Sequence, residues 1–253
     1  MRVHQAFTLA AALAAISCGG PEDQPGATGS SGGALVAQGR REPPMLGIHW
    51  ARGQGQPAPS SPLMTWHQGE ILTTTAVQPI FWGTSWSNPT FVGQKITGLA
   101  DFYSGVGGSR YAGTNTEYTG TNGQVSATIS SAAAVVDLSA APTGAPKTSA
   151  ILAEVCSAIA NPVPNGFYPV YVDQPRGHQR YCAWHSYGTC NGVPIEFGFF
   201  FWLDGDPGCN PQDTWTSHSE GLAALANVSG HEISETATDP SNGGWWDSSG
   251  QEN

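Results

Sequence analysis

The residues able to do chemistry gather near the C-terminal end, in Gly230-His231-Glu232-Ile233-Ser234-Glu235-Thr236-Ala237-Thr238-Asp239-Pro240. At about 100° per residue, His231, Glu232, Glu235 and Asp239 fall within one arc of a helix. Leu222, Ala226, Ile233 and Ala237 fall on the opposite side, toward a core. One imidazole and three carboxyl groups on a stripe form either a solvated face or a metal and acid–base site. A solvated face mixes signs, with Lys or Arg one helical turn from Glu. Here no Lys or Arg follows Arg180. Carboxylates without cationic partners repel one another unless something positive lies between them.

Residues four apart on a helix converge on one ion, so His231 and Glu235 are the expected metal ligands. Asp239, one turn further along, is the expected third. Glu232 then points at the water beside the metal and is the expected general base. A catalytic zinc takes three protein ligands and leaves one position open. Zinc is therefore the expected cofactor, and a His/carboxylate set also suits manganese or calcium. Asp247, Glu252, His185 and His218 are further candidates for a ligand from elsewhere in the chain. Blander assignments compete with these. His185, between Trp184 and Ser186, reads as a packed structural histidine. Asp239 before Pro240 fits a helix-ending turn, and His218 fits first-turn filler.

The elements that must position these groups are legible in outline. Ile71–Trp82 reads as a strand. Asn88-Pro89 reads as an N-cap and first helical residue, starting a helix that Gly105-Val106-Gly107-Gly108 ends. Tyr111–Thr116 and Tyr118–Gly123 echo each other and read as two turns flanking a short strand. Lys147–Ile159 has helical apolar spacing and stops at Asn161-Pro162. Phe167–Val172 and Ile195–Leu203 are aromatic, β-favouring runs, with Tyr181–Tyr187 between them. Ser217-His218-Ser219-Glu220 matches a capping box for the last helix. The expected fold is a single α/β or α+β domain, a mixed sheet with packed helices.

Composition bounds the rest. The chain has 253 residues with 33 Gly and 19 Pro, which favours turns and loops over long bundles. A net charge of −10 argues against nucleic acid as a partner. Met1-Arg2-Val3-His4 followed by the apolar run 6–16 reads as a secretory signal, too short to span a bilayer. It ends in Ala15-Ile16-Ser17-Cys18-Gly19, similar to a bacterial lipobox, although Ala15 stands where Leu is usual. Residues 1–18 are thus the expected signal, with Cys18 as a lipid anchor to the membrane. Residues 19–63, rich in Gly, Ser, Pro and Gln, read as a flexible linker, and 64–253 as the globular domain. Cys156, Cys182, Cys190 and Cys209 remain, an even number suited to disulfides in an oxidising compartment. Three pairings are open, the most local being Cys182/Cys190 with Cys156/Cys209.

Phe81-Trp82-Gly83, Cys182-Ala183-Trp184-His185 and Thr238-Asp239-Pro240 resemble the phosphate-induced/EXORDIUM family of secreted plant proteins and its bacterial relatives. The likeness is diffuse and spans most of 71–253. It implies a cell-envelope or cell-wall setting. Plant members carry uncharged residues where this chain has His231, Glu232 and Glu235, so the resemblance implies a chemically distinct bacterial branch. Relatives continue past residue 253, which implies a chain shortened at its C-terminus. His231-Glu232-x-x-Glu235 is also similar to the His-Glu-x-x-His signature of zinc peptidases, with Glu in place of the second His. The expected function is an exported, lipid-anchored, metal-dependent hydrolase, peptidase-like, acting on a peptide or cell-wall-related substrate. The competing expectation is a non-catalytic envelope or cell-wall-associated binding protein.

Overall fold

In the computed structural model, residues 42–55 and 63–252 are described. The expected signal, with Cys18, and most of the expected linker lie outside these residues. The chain runs through β1 (Leu46–Trp50), β2 (Thr65–Trp66), β3 (Thr75–Val77) and β4 (Ile80–Trp82). Helices α1 (Pro89–Val92), α2 (Lys95–Val106) and α3 (Arg110–Thr114) follow. Next come short strands β5 (Thr119–Gly120), β6 (Gly123–Gln124), β7 (Ile129–Ser131) and β8 (Val135–Asp137), and then α4 (Thr148–Ala158). Three long strands, β9 (Gly166–Pro175), β10 (Tyr181–Cys190) and β11 (Val193–Trp202), precede α5 (Glu220–Thr238) and β12 (Trp245–Trp246).

The main sheet is mixed, as expected. Its order is β1-β10-β11-β9-β3-β7, with β4 pairing β9 and β8. The β1–β10 and β10–β11 pairs are antiparallel, and the pairs from β11 through β9 to β3, β4, β7 and β8 are parallel. Both faces of the long strands are covered, which is why β11 reads as an unbroken aromatic run rather than an alternating one. Gly188 of β10 packs on Leu152 of α4, while His185, three residues earlier, faces α5. Residues an odd number apart on a strand point to opposite faces. Helices therefore cover the sheet on both sides. Phe167, Phe197, Phe199, Phe200, Tyr171 and Trp184 are wholly or almost wholly buried in this core.

Local chemistry sets the element ends. The expected strand 71–82 divides at Gln78-Pro79, because proline has no N–H to donate to a ladder. Asn88 caps α1 by accepting from the Thr90 amide at 2.9 Å. Gly93 then interrupts the helix before α2. Ser219, not Ser217, caps α5: its Oγ accepts from Leu222 N at 3.2 Å, so the helix starts two residues later than the capping-box reading. The Tyr111–Gly123 echo is corrected as well, since its first half is α3 and its second the β5–β6 hairpin.

The expected linker is corrected at its C-terminal end. Leu46, Ile48 and Trp50 alternate with smaller or polar residues, and this segment becomes the strand β1 on β10. Ahead of it, Glu42 anchors the start of α4, its carboxylate accepting from Ser149 N (2.8 Å), Ser149 Oγ (2.8 Å) and Thr148 Oγ1 (2.9 Å). Two disulfides form, Cys156–Cys190 and Cys182–Cys209. The most local pairing does not form. Cys182 and Cys190 sit at opposite ends of β10, about 26 Å apart at 3.3 Å per residue. The disulfides place the chain outside the cytoplasm. Among the described residues, no helix is long and apolar enough to cross a membrane.

Candidate metal centre

Helix α5 runs along the sheet with its second half almost entirely buried. Its packing hides the polar stripe as well as the apolar one. Glu232 and Asp239 are 0% exposed and Glu235 is 3% exposed. His231 stays partly open, at the wall of a cavity of about 410 Å³. One ligand atom each from His231, Glu232 and Glu235 lies within 4.8 Å of the others. The expected ligands His231 and Glu235 and the expected base Glu232 are thus brought together.

Asp239 does not join that group. It is the C-terminal cap of α5, and its Oδ1 accepts from Gly243 N (2.8 Å) and Gly244 N (2.7 Å). The turn-forming assignment therefore describes one of its oxygens, while the other, Oδ2, is buried without a hydrogen bond. Gly244 allows this loop to close, because a Cβ there would sit 2.0 Å from Thr238 O. His218 lies in the exposed segment before α5, away from this cavity. Trp245 packs on Tyr118, and Trp246 stacks on His67 at 3.3 Å between ring centroids. The tryptophan pair thus covers a small two-stranded edge with β2.

Three further residues converge on this cluster from other elements. His185 of β10 is 0% exposed, and its Nε2 lies 2.8 Å from Glu252 Oε2. Glu252 arrives on a turn organised by Asp247, whose Oδ1 accepts from Ser249 N (2.8 Å), Ser249 Oγ (2.7 Å) and Gln251 N (3.0 Å). His49 of β1 stands edge-on to His231, with ring centroids 4.4 Å apart. The register between β1 and β10 shifts between Leu46 and His49, a bulge that turns backbone out of the ladder. There Gly47 N donates to Glu252 Oε1 at 3.0 Å. Gly47 has φ +47°, and a Cβ on it would lie 2.4 Å from Glu235 Oε2 and 2.5 Å from His185 Nε2. Those two atoms approach the same point, and only glycine leaves them room.

His49 was hidden in the segment read as linker. The signal that reveals it is the two-residue alternation of Leu46, Ile48 and Trp50. His185 and Glu252 were visible as candidates but nothing local joined them to His231.

The electrostatics explain what such a cluster needs. Burial raises Glu232 and Glu235 well above the usual carboxylate range, and their mutual charge and that of Glu252 push Glu232 further. For Glu235 the next cause is Glu252. Burial and then Glu252 raise Asp239. Glu196 of β11 is raised well above its ordinary value by burial and then by Asp239. His231 is lowered to about 4 by burial and then by His185, and His49 to about 4 by burial and then by His231. Both rings are neutral at neutral pH, the form in which imidazole binds a metal. For His185 burial works downward, but the charge and hydrogen bond of Glu252, with Glu235 and Asp239, outweigh it and the net direction is up.

No Lys or Arg among the described residues pairs with these carboxylates; the two such ion pairs are Lys95–Asp204 and Arg176–Asp206. Both oxygens of Glu232, Oε2 of Glu235, Oδ2 of Asp239, Nε2 of His231 and Nδ1 of His49 are buried without a hydrogen bond. Unpaired buried charge and orphaned polar atoms are each costly. A divalent cation would satisfy both deficits at once. The donor set is hard oxygen plus imidazole nitrogen, which zinc or manganese accepts. Comparison of the chain with family models, with curated proteins and with solved structures returns no match.

Proposed function

We propose that this chain is an exported metal-dependent hydrolase, peptidase-like, tethered to the membrane through Cys18. One observation carries the reading. His231 Nε2 and Glu235 Oε2 lie 3.0 Å apart, yet neither forms a hydrogen bond. Two unpartnered donor atoms held that close suit the ligation of one ion. His231 and Glu235 would hold a divalent cation, most simply zinc, with the third ligand from Asp239, whose Oδ2 has no hydrogen bond, or from Glu252. Such a cation, when bound, makes water a nucleophile at neutral pH and polarises a carbonyl.

The remaining steps belong to the chain's own residues. Glu232, on the next helical position, accepts the proton of the attacking water and passes it to the leaving amine. His185, gripping Glu252 Oε2, and Gly47 N–H, holding Oε1, fix the orientation of that carboxylate. His49, neutral, borders the cavity beside the reacting groups and helps to exclude water.

Metal analysis of the purified domain after incubation with zinc, manganese or calcium and dialysis tests this. The expected result is about one ion per chain in the wild type and in Glu232→Gln, and none in His231→Ala. Glu232→Gln should lower peptide hydrolysis about 10²–10⁴-fold while keeping its metal. Wild-type protein that retains no metal under any of these conditions overturns the proposal.

A further inference from the structure

β1 is the outer strand on its side of the sheet, and the chain passes from it directly into a second cavity. Residues 45–50 border the metal cavity, and Ala51, Arg52 and Gln54 border the next one, of about 420 Å³. The two adjoin where the Arg180 guanidinium lies over the Trp50 ring, 5.7 Å from its centroid.

The charge of this second cavity is out of keeping with the protein. The chain carries a net charge of −10. The Lys and Arg among the described residues are Arg52, Lys95, Arg110, Lys147, Arg176 and Arg180. Half of them, Arg52, Arg176 and Arg180, line this one cavity, with His178 beside them. Arg176 is neutralised by Asp206 through two bonds, of 2.7 and 3.0 Å, and holds the turn. Arg52 and Arg180 bond instead to neutral oxygens. Arg52 Nη2 donates to Asn210 O at 2.8 Å; Arg180 Nη2 and Nε donate to Gln54 O and Oε1 at 3.0 and 3.2 Å. Those bonds position the guanidinium groups without cancelling their charge, and neither arginine has an ion-pair partner among the described residues.

His49 and Arg52 are three positions apart across the end of β1 and the turn that follows it, at most about 10 Å at 3.3 Å per residue. A strand laid beside β1 would span the same interval with three of its own residues. We propose that the metal cavity takes an extended peptide along β1, with an acidic side chain or terminal carboxylate about three residues from the reacting bond, received by Arg52 and Arg180. The reacting bond in this statement rests on the hydrolase reading; the acidic recognition does not. Two guanidinium groups match a single carboxylate, whereas a long polyanion would meet the negative charge of the rest of the chain.

Fluorescence anisotropy with the full chain tests it. The probes are a labelled hexapeptide of four alanines followed by two glutamates, and its counterpart ending in two glutamines with an amidated terminus. The acidic peptide should bind about 3–10-fold more tightly at low salt, as two solvent-exposed charge pairs allow. In Arg52→Gln/Arg180→Gln the preference should vanish, and in Arg52→Lys it should persist. Equal affinity for both peptides, no binding of the acidic one at millimolar concentration, a preference that survives in the double variant, or tighter binding of an oligothymidylate of equal charge each overturns the inference. Mass spectrometry of the same mixtures separates the two readings. Acidic preference without any cleavage counts against the hydrolase alone, and cleavage of both peptides with equal affinity counts against the acidic subsite alone.

Discussion

His231 Nε2 and Glu235 Oε2 stand one helical turn apart and 3.0 Å from each other, without a hydrogen bond between them. In the metal-free protein this places a buried carboxylate against Glu252 and Asp239, with its charge offset only in part by His185. Glu235→Gln should therefore have opposite effects in the two states. Without metal it removes a crowded charge and should raise stability by about 1–3 kcal/mol. With saturating zinc the wild type should gain about 4 kcal/mol at a thousandfold excess over Kd, and the variant should gain almost nothing. Thermal melts with chelator and with zinc read both effects. A full zinc shift in the variant would remove Glu235 from the ligand set.

Gly47 makes a second, independent check on the geometry. Its φ of +47° is already unfavourable for other residues, and a methyl group would lie 2.3 Å from His185 Cδ2. His185 is fully buried and tied to Glu252, so it cannot yield. Gly47→Ala should cost about 2–5 kcal/mol and weaken metal binding, through overpacking and backbone strain together. Gly53 has φ +73° but open space around it, so Gly53→Ala should cost only about 1 kcal/mol. Urea unfolding of the two variants decides the matter: equal costs would mean that β1 does not press on His185 as described.

What could be read in the sequence was what local spacing determines. His231, Glu232 and Glu235 belong to one helical turn, so their convergence follows from 3.6-residue periodicity. The aromatic runs of β9 and β11 announced buried strands for the same local reason. His49, His185 and Glu252 meet only because β1 pairs with β10 and the Asp247 turn folds back, and no short-range pattern encodes such pairings. β1 was further obscured by its flanks, whose Gly, Pro and Gln content resembles a linker. Asp239 shows the converse limit. Its angular position on the helix suited a ligand, yet the chain breaks at Pro240 and commits Oδ1 to the amides of Gly243 and Gly244, leaving only Oδ2 for that role.

Away from the centre, Glu154 of α4 should impose a pH dependence on stability. Its side chain is 7% exposed and Oε1 has no hydrogen-bond partner. Burial, then the charge of Asp137 and their shared hydrogen bond, raise its pKa from 4.5 to about 7. Asp137 moves the other way, held low chiefly by the Ser139 amide and hydroxyl, so the proton resides on Glu154. A carboxyl whose folded pKa is raised binds its proton more tightly in the native state than in the unfolded chain. Its contribution is complete below about pH 4.5 and is lost as pH rises through about 7. Asp137 opposes this only at more acidic pH, where its own protonation removes a native-state advantage. Glu154→Gln keeps the size and a donor but cannot ionise. Relative to wild type it should be near neutral at pH 4.5 and stabilising by about 1–3 kcal/mol at pH 8. Urea midpoints measured for both proteins across that range give the difference directly. A difference that stays constant with pH would show that Glu154 ionises freely in the folded protein, and that the Asp137–Glu154 proton is not held between α4 and β8.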